Sequence, residues 1–315
     1  LGVNLIYGAF YKYDQPKKLL RYLYDHIDKD TIEIDMINFS GPNFKHVDNR
    51  LMSLQLIKND MTDAVMFGPD GNNLLPAAIL YKKNILALRG SFRPVTKVNL
   101  DMFQKSYDIF VREQTVDINN TIVIFEITLS NLKASGEIDE QDFMDRAELL
   151  CSLGHTVMIS KFREYYKLVE YFNNYTKSRI GLTMGVNNLV EVFDEKYYRH
   201  LSGGILEAFG KLFFKDLKVY LYPMKDEETG QIMTSNNVKV HPRMKELYKF
   251  FKYNGKVMDI IDYDPEILHI FSRDVLKKII NKEDGWEAEL PEGIAEIIKE
   301  KDLFTKKLVK TEASK

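Results

Sequence analysis

Two arginines spaced by three residues, in the run Arg89-Gly90-Ser91-Phe92-Arg93, carry the most direct chemistry in this chain of 315 residues. Guanidiniums present planar forks of donors that match a phosphate or a carboxylate, and the intervening glycine and serine add backbone amides and a hydroxyl. Arg89, Ser91 and Arg93 therefore read as an anion clamp, weighed equally against a pair of surface arginines bridging nearby acids. Glu126 follows the apolar run Thr121-Ile122-Val123-Ile124-Phe125. Desolvation there would raise its pKa toward acid–base duty, and Asp35 has a similar setting. Two inward carboxylates could instead hold Mg²⁺ within a shell of amide and water oxygens. The plainer alternative is that strand parity turns one of them outward, or that Arg89 or Lys161 neutralises each. Lys161 could form a Schiff base if desolvated, although a solvated lysine opening a helix is the commoner case. His46 is the one histidine placed near these groups. Asn187 and the amides of Gly203 and Gly204 are further ligand-binding candidates, the glycines offering N–H groups to a phosphate unless they merely separate two helices.

Several chemistries are excluded by what is missing. Six histidines without ligand spacing and a single cysteine give no zinc pattern, and neither a G-x-S-x-G elbow nor a phosphate loop occurs. Lysine and arginine total 44 against 46 acids, so no global field favours nucleic acid or an anionic membrane, and any anion site must be local. The partner implied is a small anionic molecule. Cys151 lies among Ala147, Leu149, Leu150 and Leu153 and reads as a buried, inert thiol suited to a reducing compartment. With no apolar run of spanning length and no signal-peptide order, the expected location is cytoplasmic. The chain opens on Leu1 rather than Met, which points to a preceding segment outside this numbering.

The elements that must position these groups alternate short β-rich runs with amphipathic helical patterns, as βαβ units do. Strands are expected at 3–11, 31–37, 62–67, 84–89, 121–127, 155–160, 179–184 and 217–222. Helical stripes run over 139–153, 161–176 and 189–200, then 242–253, 264–281 and 291–300. Eight such units predict a (β/α)8 barrel over 1–225, with 225–237 a polar boundary loop, 226–305 a helical appendage and 306–315 a frayed tail. The alternative is an open doubly wound sheet, disfavoured because the first turn has no glycine fingerprint. In the barrel, the residues named above sit at or near the carboxyl ends of strands, where the site belongs.

Three stretches resemble a bacterial family of longer, uncharacterised proteins: Phe39-Ser-Gly-Pro-Asn-Phe-Lys-His-Val-Asp-Asn-Arg-Leu-Met-Ser53, Leu80-Tyr-Lys-Lys-Asn-Ile-Leu-Ala-Leu-Arg-Gly-Ser-Phe-Arg-Pro-Val95 and Asp264-Pro-Glu-Ile-Leu-His-Ile-Phe-Ser272. Members of that family carry the labels nicotinate-nucleotide or nicotinamide mononucleotide adenylyltransferase, or TonB-dependent receptor. The adenylyltransferase label implies a histidine pair in the pattern [HT]-x-G-H at a strand end. Leu153-Gly154-His155 lacks the first member and leads into a strand. A receptor barrel would need many ten-residue alternating strands, which this chain lacks. Neither label transfers functional residues.

The leading expectation is an enzyme acting on a small phosphorylated or carboxylated metabolite at the barrel mouth. A nucleotide-binding protein or nucleotidyltransferase on an open sheet is the second reading. The third is a non-catalytic assembly protein that self-associates through its aromatic helices and the region after residue 240.

Overall fold

Runs of Val, Ile, Leu and Phe without polar alternation form strands covered on both faces, the pattern of a parallel sheet between helical layers. The computed structural model describes residues 1–28, 30–132, 138–215 and 217–304. Its strands are β1 (Ala64–Phe67), β2 (Asn73–Leu74), β3 (Asn84–Arg89), β4 (Thr121–Thr128), β5 (Thr156–Ser160), β6 (Ile180–Gly185), β7 (Lys218–Tyr222), β8 (Met224–Lys225), β9 (Ile232–Met233) and β10 (Val257–Asp259). Eight of them make one sheet in the order β10-β7-β6-β3-β4-β5-β1-β2, and β8 pairs with β9 in a separate hairpin. From β10 to β5 every pairing is parallel, whereas β1 runs antiparallel to both β5 and β2.

The expected barrel is replaced by an open sheet whose edges are β2 and β10. A barrel pairs each strand on both sides in one direction; here β1 reverses direction, and two of the eight expected strands do not form. Residues 3–11 are helical: α1 (Gly2–Tyr11) buries only Gly8 and exposes Val3, Ile6, Phe10 and Tyr11. Residues 31–37 form no strand and lie outside the sheet, tied by the Ile34 amide to the Met61 carbonyl at 2.9 Å and by the Asn73 amide side chain to the Ile37 carbonyl at 2.9 Å. Within 226–305, the short strand β10 joins the central sheet beside β7, and the 225–237 loop contains strand β9. The tail at 306–315 lies outside the described residues.

The helices are α1, then α2 (Pro16–Tyr22), α3 (Asn49–Lys58), α4 (Pro76–Leu80), α5 (Lys97–Phe110), α6 (Leu129–Leu132), α7 (Glu140–Ser152), α8 (Tyr165–Tyr175), α9 (Val186–Val192), α10 (Gly204–Leu212), α11 (Lys245–Tyr253), α12 (Ser272–Asn281) and α13 (Ile294–Lys301). One face of the sheet, carrying Leu86, Leu88, Phe125, Ile127 and Val157, packs with α3, α5, α7, α12 and α13. The other, carrying Ile85, Ala87, Ile124, Met158 and Leu182, packs with α8, α9, α10 and α11. The α5 layer approaches closely over Gly181, where a Cβ would lie 2.7 Å from the Tyr220 ring and 3.0 Å from Leu86 and Phe110. No helix among the described residues is long and apolar enough to cross a membrane. Cys151 is buried, which pushes its thiol up to about 11.

The order of the strands fixes where a ligand would go. The chain leaves β3 for β4 and β5 on one side, then returns across the sheet for β6, β7 and β10 on the other. Between β3 and β6, successive connections depart in opposite directions and leave a crevice at their carboxyl ends.

Candidate functional site

That crevice has a volume of about 800 Å³ and draws its walls from the segments after four adjacent parallel strands. Ser91 follows β3, Ser130 and Asn131 follow β4, Arg163 to Tyr165 follow β5, and Asn188 and Glu191 follow β6. Asn99 of α5, Lys196, His200 and Phe271 complete it. The volume suits a drug-sized or nucleotide-sized molecule.

At its floor lies an ion pair. Arg89, Glu126 and Ser160 share strand parity with Ile85, Ile124 and Met158, so all three face the α8 layer. Arg89 donates through Nε and Nη2 to the two oxygens of Glu126, and the Ser160 hydroxyl donates to the same carboxylate. The Glu126 side chain is fully buried and that of Arg89 is 7% exposed. The guanidinium stacks on Tyr165 at 4.3 Å, and the Tyr165 hydroxyl accepts from Asn188 at 2.9 Å. Its remaining Nη1 donates to the Arg163 carbonyl at 3.1 Å. Both oxygens of Glu126 are thus occupied, and Arg89 braces the chain that carries Arg163.

Arg93 is turned to the opposite face. Phe92, with φ +46°, buries its ring among Leu88, Val95 and Phe125 on the α5–α7 side. The chain therefore rolls over between the two arginines, and the clamp is not formed. Arg93 pairs with Asp142 of α7, and so does Arg146, whose side chain is 1% exposed. Arg146 also donates to the carbonyls of Ser91 at 3.0 Å and Asn131 at 3.4 Å. The Asn131 side chain in turn donates to the Gly90 carbonyl at 3.2 Å. Burial pulls the Arg146 guanidinium below its usual range against the attraction of Asp142. This buried cation joins the loops after β3 and β4, the back wall of the crevice.

The other candidates lie elsewhere. Asp35 is held near Glu33, and burial raises its pKa, with Glu33 adding to the rise. The electrostatic neighbours of Asp35 are Tyr24, Tyr171 and Tyr175, while Glu126 is closed off by Arg89 and Ser160, so the two carboxylates do not share a cation site. Among the described residues no group of three or more His, Cys, Asp or Glu could hold a metal ion. Lys161 is 37% exposed and paired with Asp63 at 2.7 Å, without the desolvation a Schiff base needs. His46 is exposed beside α2 and α3. Asn187 is exposed on α9, and its neighbour Asn188 lines the crevice instead. The Gly203 amide is taken by the Glu207 carboxylate at 3.0 Å and the Gly204 amide by the Leu201 carbonyl at 3.0 Å, so neither is open to a phosphate.

Arg163, Glu164 and Asn99 also line the crevice and are not among the candidates read from the sequence. Arg163 is exposed to solvent, and its guanidinium has no ion pair or hydrogen bond among the described residues. It stands two residues beyond Lys161, the candidate named after the same strand. Asn99 occupies the third position of α5, uses Oδ1 to cap the Thr96 amide at 2.9 Å, and lines the crevice.

His155, by contrast, precedes β5 and lies at the amino ends of the strands. Its ring stacks on Phe125 at 4.2 Å and meets the edge of Phe103 at 4.9 Å, and burial lowers its pKa to about 4. The folded state therefore binds fewer protons than the unfolded one between pH 4 and 6.5. Stability contributed by neutral His155 is full above pH 6.5 and is lost as pH falls toward 4. Discounted for its partial exposure, the effect is about 2 kcal/mol. Urea unfolding at pH 7 and pH 4.5 should show a smaller drop for His155→Phe than for the wild type; equal drops would remove His155 from the acid response.

No protein-family model matches the chain, and no curated protein matches it in sequence. Among solved structures, it is similar to Plasmodium falciparum nicotinic acid mononucleotide adenylyltransferase complexed with NaAD, at 13% identity and a TM-score of 0.43, over 70% of this chain and 97% of that one. The same enzyme complexed with APC matches at 14% identity and a TM-score of 0.43, over the same shares of the two chains.

Proposed function

We propose that the chain binds a phosphorylated nucleoside in the crevice between β3 and β6. The observation that carries this reading is the reversal of strand order at that point, where Arg163, with no partner for its guanidinium among the described residues, and Asn99 line a cavity of nucleotide size. Open parallel sheets bind ligands at such a point because loops diverge there and expose backbone and side-chain donors. Arg163 supplies the phosphate charge, with Asn99, Ser91 and Ser130 as neutral donors. The half-exposed rings of Tyr197 and Phe271 offer surfaces on which a base can stack.

Calorimetric titration with the four ribonucleoside triphosphates tests it. At least one should bind, and Arg163→Ala should weaken that binding about tenfold or more, as expected for a charge-assisted contact. Unchanged affinity in the variant would mean that the phosphate is held elsewhere; silence with all four would end the proposal.

Nucleotidyl transfer at the same site is the second reading, the activity that the label of the family resembled in sequence would imply. It calls for pyrophosphate release from a bound triphosphate, and binding without release would leave this a binding site only.

A further inference from the structure

We infer that Glu164 is the group that takes the vicinal hydroxyls of the ligand's ribose, making the site selective for ribonucleotides. The inference rests on the nucleotide reading above and names the part of the ligand that this carboxylate recognises. Glu164 precedes α8 and lines the crevice between Arg163 and Tyr165. An ionised carboxylate is an acceptor only, with room for about four hydrogen bonds on its two oxygens. Among the described residues Glu164 receives none. Oε2 is buried 2.9 Å from the Lys167 ammonium, in an ion pair whose geometry makes no hydrogen bond. The side chain keeps 14% of its surface exposed, which belongs to the rest of the group and opens onto the crevice.

The ion pair with Lys167 offsets the charge of Glu164 but leaves its hydrogen-bond capacity unused, and hydrogen bonds to charged groups are the strong ones. The identity of the donor follows from its surroundings. Arg163 and Lys167 flank Glu164 in sequence and repel a cationic ligand, so the donor that fits is neutral. Two adjacent hydroxyls match the two lone pairs of Oε1, the oxygen that is not buried against Lys167. A ribose bound there leaves its phosphates on the Arg163 side, and nucleotide-binding open sheets use an acidic side chain on ribose for the same physical reason.

The test titrates the 315-residue chain with the tightest-binding ribonucleoside triphosphate and with its 2′,3′-dideoxy counterpart. The wild type should bind the ribose form about tenfold or more tightly. Glu164→Gln should lose most of that preference while its affinity for the dideoxy form stays within about twofold. Equal wild-type affinities for the two forms would overturn the inference and leave nucleotide binding standing, whatever the folding of the variant. A preference that survives in Glu164→Gln with a wild-type melting curve would overturn it too. No binding by any ribonucleotide would overturn both readings together.

Discussion

Glu126→Leu is expected to lower the unfolding free energy by about 3–5 kcal/mol, the usual result of stranding one member of a buried ion pair. The leucine would leave the Arg89 guanidinium, 7% exposed, without its carboxylate and the Ser160 hydroxyl without its acceptor. The double variant Arg89→Met/Glu126→Leu should recover more than half of the loss, because two apolar side chains of similar volume avoid the desolvation that the charges undergo. Urea unfolding of the wild type, Glu126→Leu and the double variant decides the point. A single variant within about 1 kcal/mol of wild type would show that water reaches Arg89 freely. The double variant also separates structure from binding. It removes the Nη1 donor that fixes the Arg163 carbonyl, so its nucleotide affinity should stay weakened even where its stability returns.

The parallel strands were legible because they are nearly all apolar and bounded by turn residues. β3 spans the predicted 84–89, and β4, β5, β6 and β7 fall within a residue of expectation at either end. The same property hid what a site reading needs. With Val, Ile and Phe on both faces, no alternation says which way Arg89 and Glu126 turn, and only the packed layers settle it. Residues 3–11 misled for a related reason: Leu5, Ile6, Tyr7 and Phe10 suit a strand or a helix, and the segment carries no charged face to reveal a period. Strands of two or three residues, such as β2 and β10, are too short to show any pattern.

The loops that would carry the site were legible even though the topology was not. A barrel and an open parallel sheet both gather ligand-binding loops at the carboxyl ends of their strands. Ser91 and Arg89 therefore fall at the crevice under either architecture. The choice of residue within a loop was another matter. Asn188 lines the crevice while Asn187 faces solvent, because neighbours on a helix point about 100° apart and the register of α9 was unknown. Arg93 was lost to the site by one residue, Phe92, whose ring needed the core on the far side.

Arg146 gave no signal in the sequence, where it reads as one more charge on the helical stripe 139–153, yet it should be the most sensitive position in the crevice wall. Arg146→Met is expected to destabilise the protein by about 3–5 kcal/mol. The methionine fills much of the same space, so the loss comes from Asp142, buried with Arg93 as its one remaining cation among the described residues, and from the carbonyls of Ser91 and Asn131, left without their donor. Arg146→Lys distinguishes charge from geometry. A lysine keeps the cation but cannot fork to a carboxylate and two carbonyls at once, so about half of the loss should remain. Since the two carbonyls belong to the loops after β3 and β4, nucleotide affinity should fall in both variants under conditions where each is fully folded. A lysine variant as stable and as tight-binding as the wild type would reduce Arg146 to a counter-ion for Asp142. Loss of affinity in step with the loss of the two carbonyl contacts would establish that the crevice is held open from behind, by a side chain that never touches the ligand.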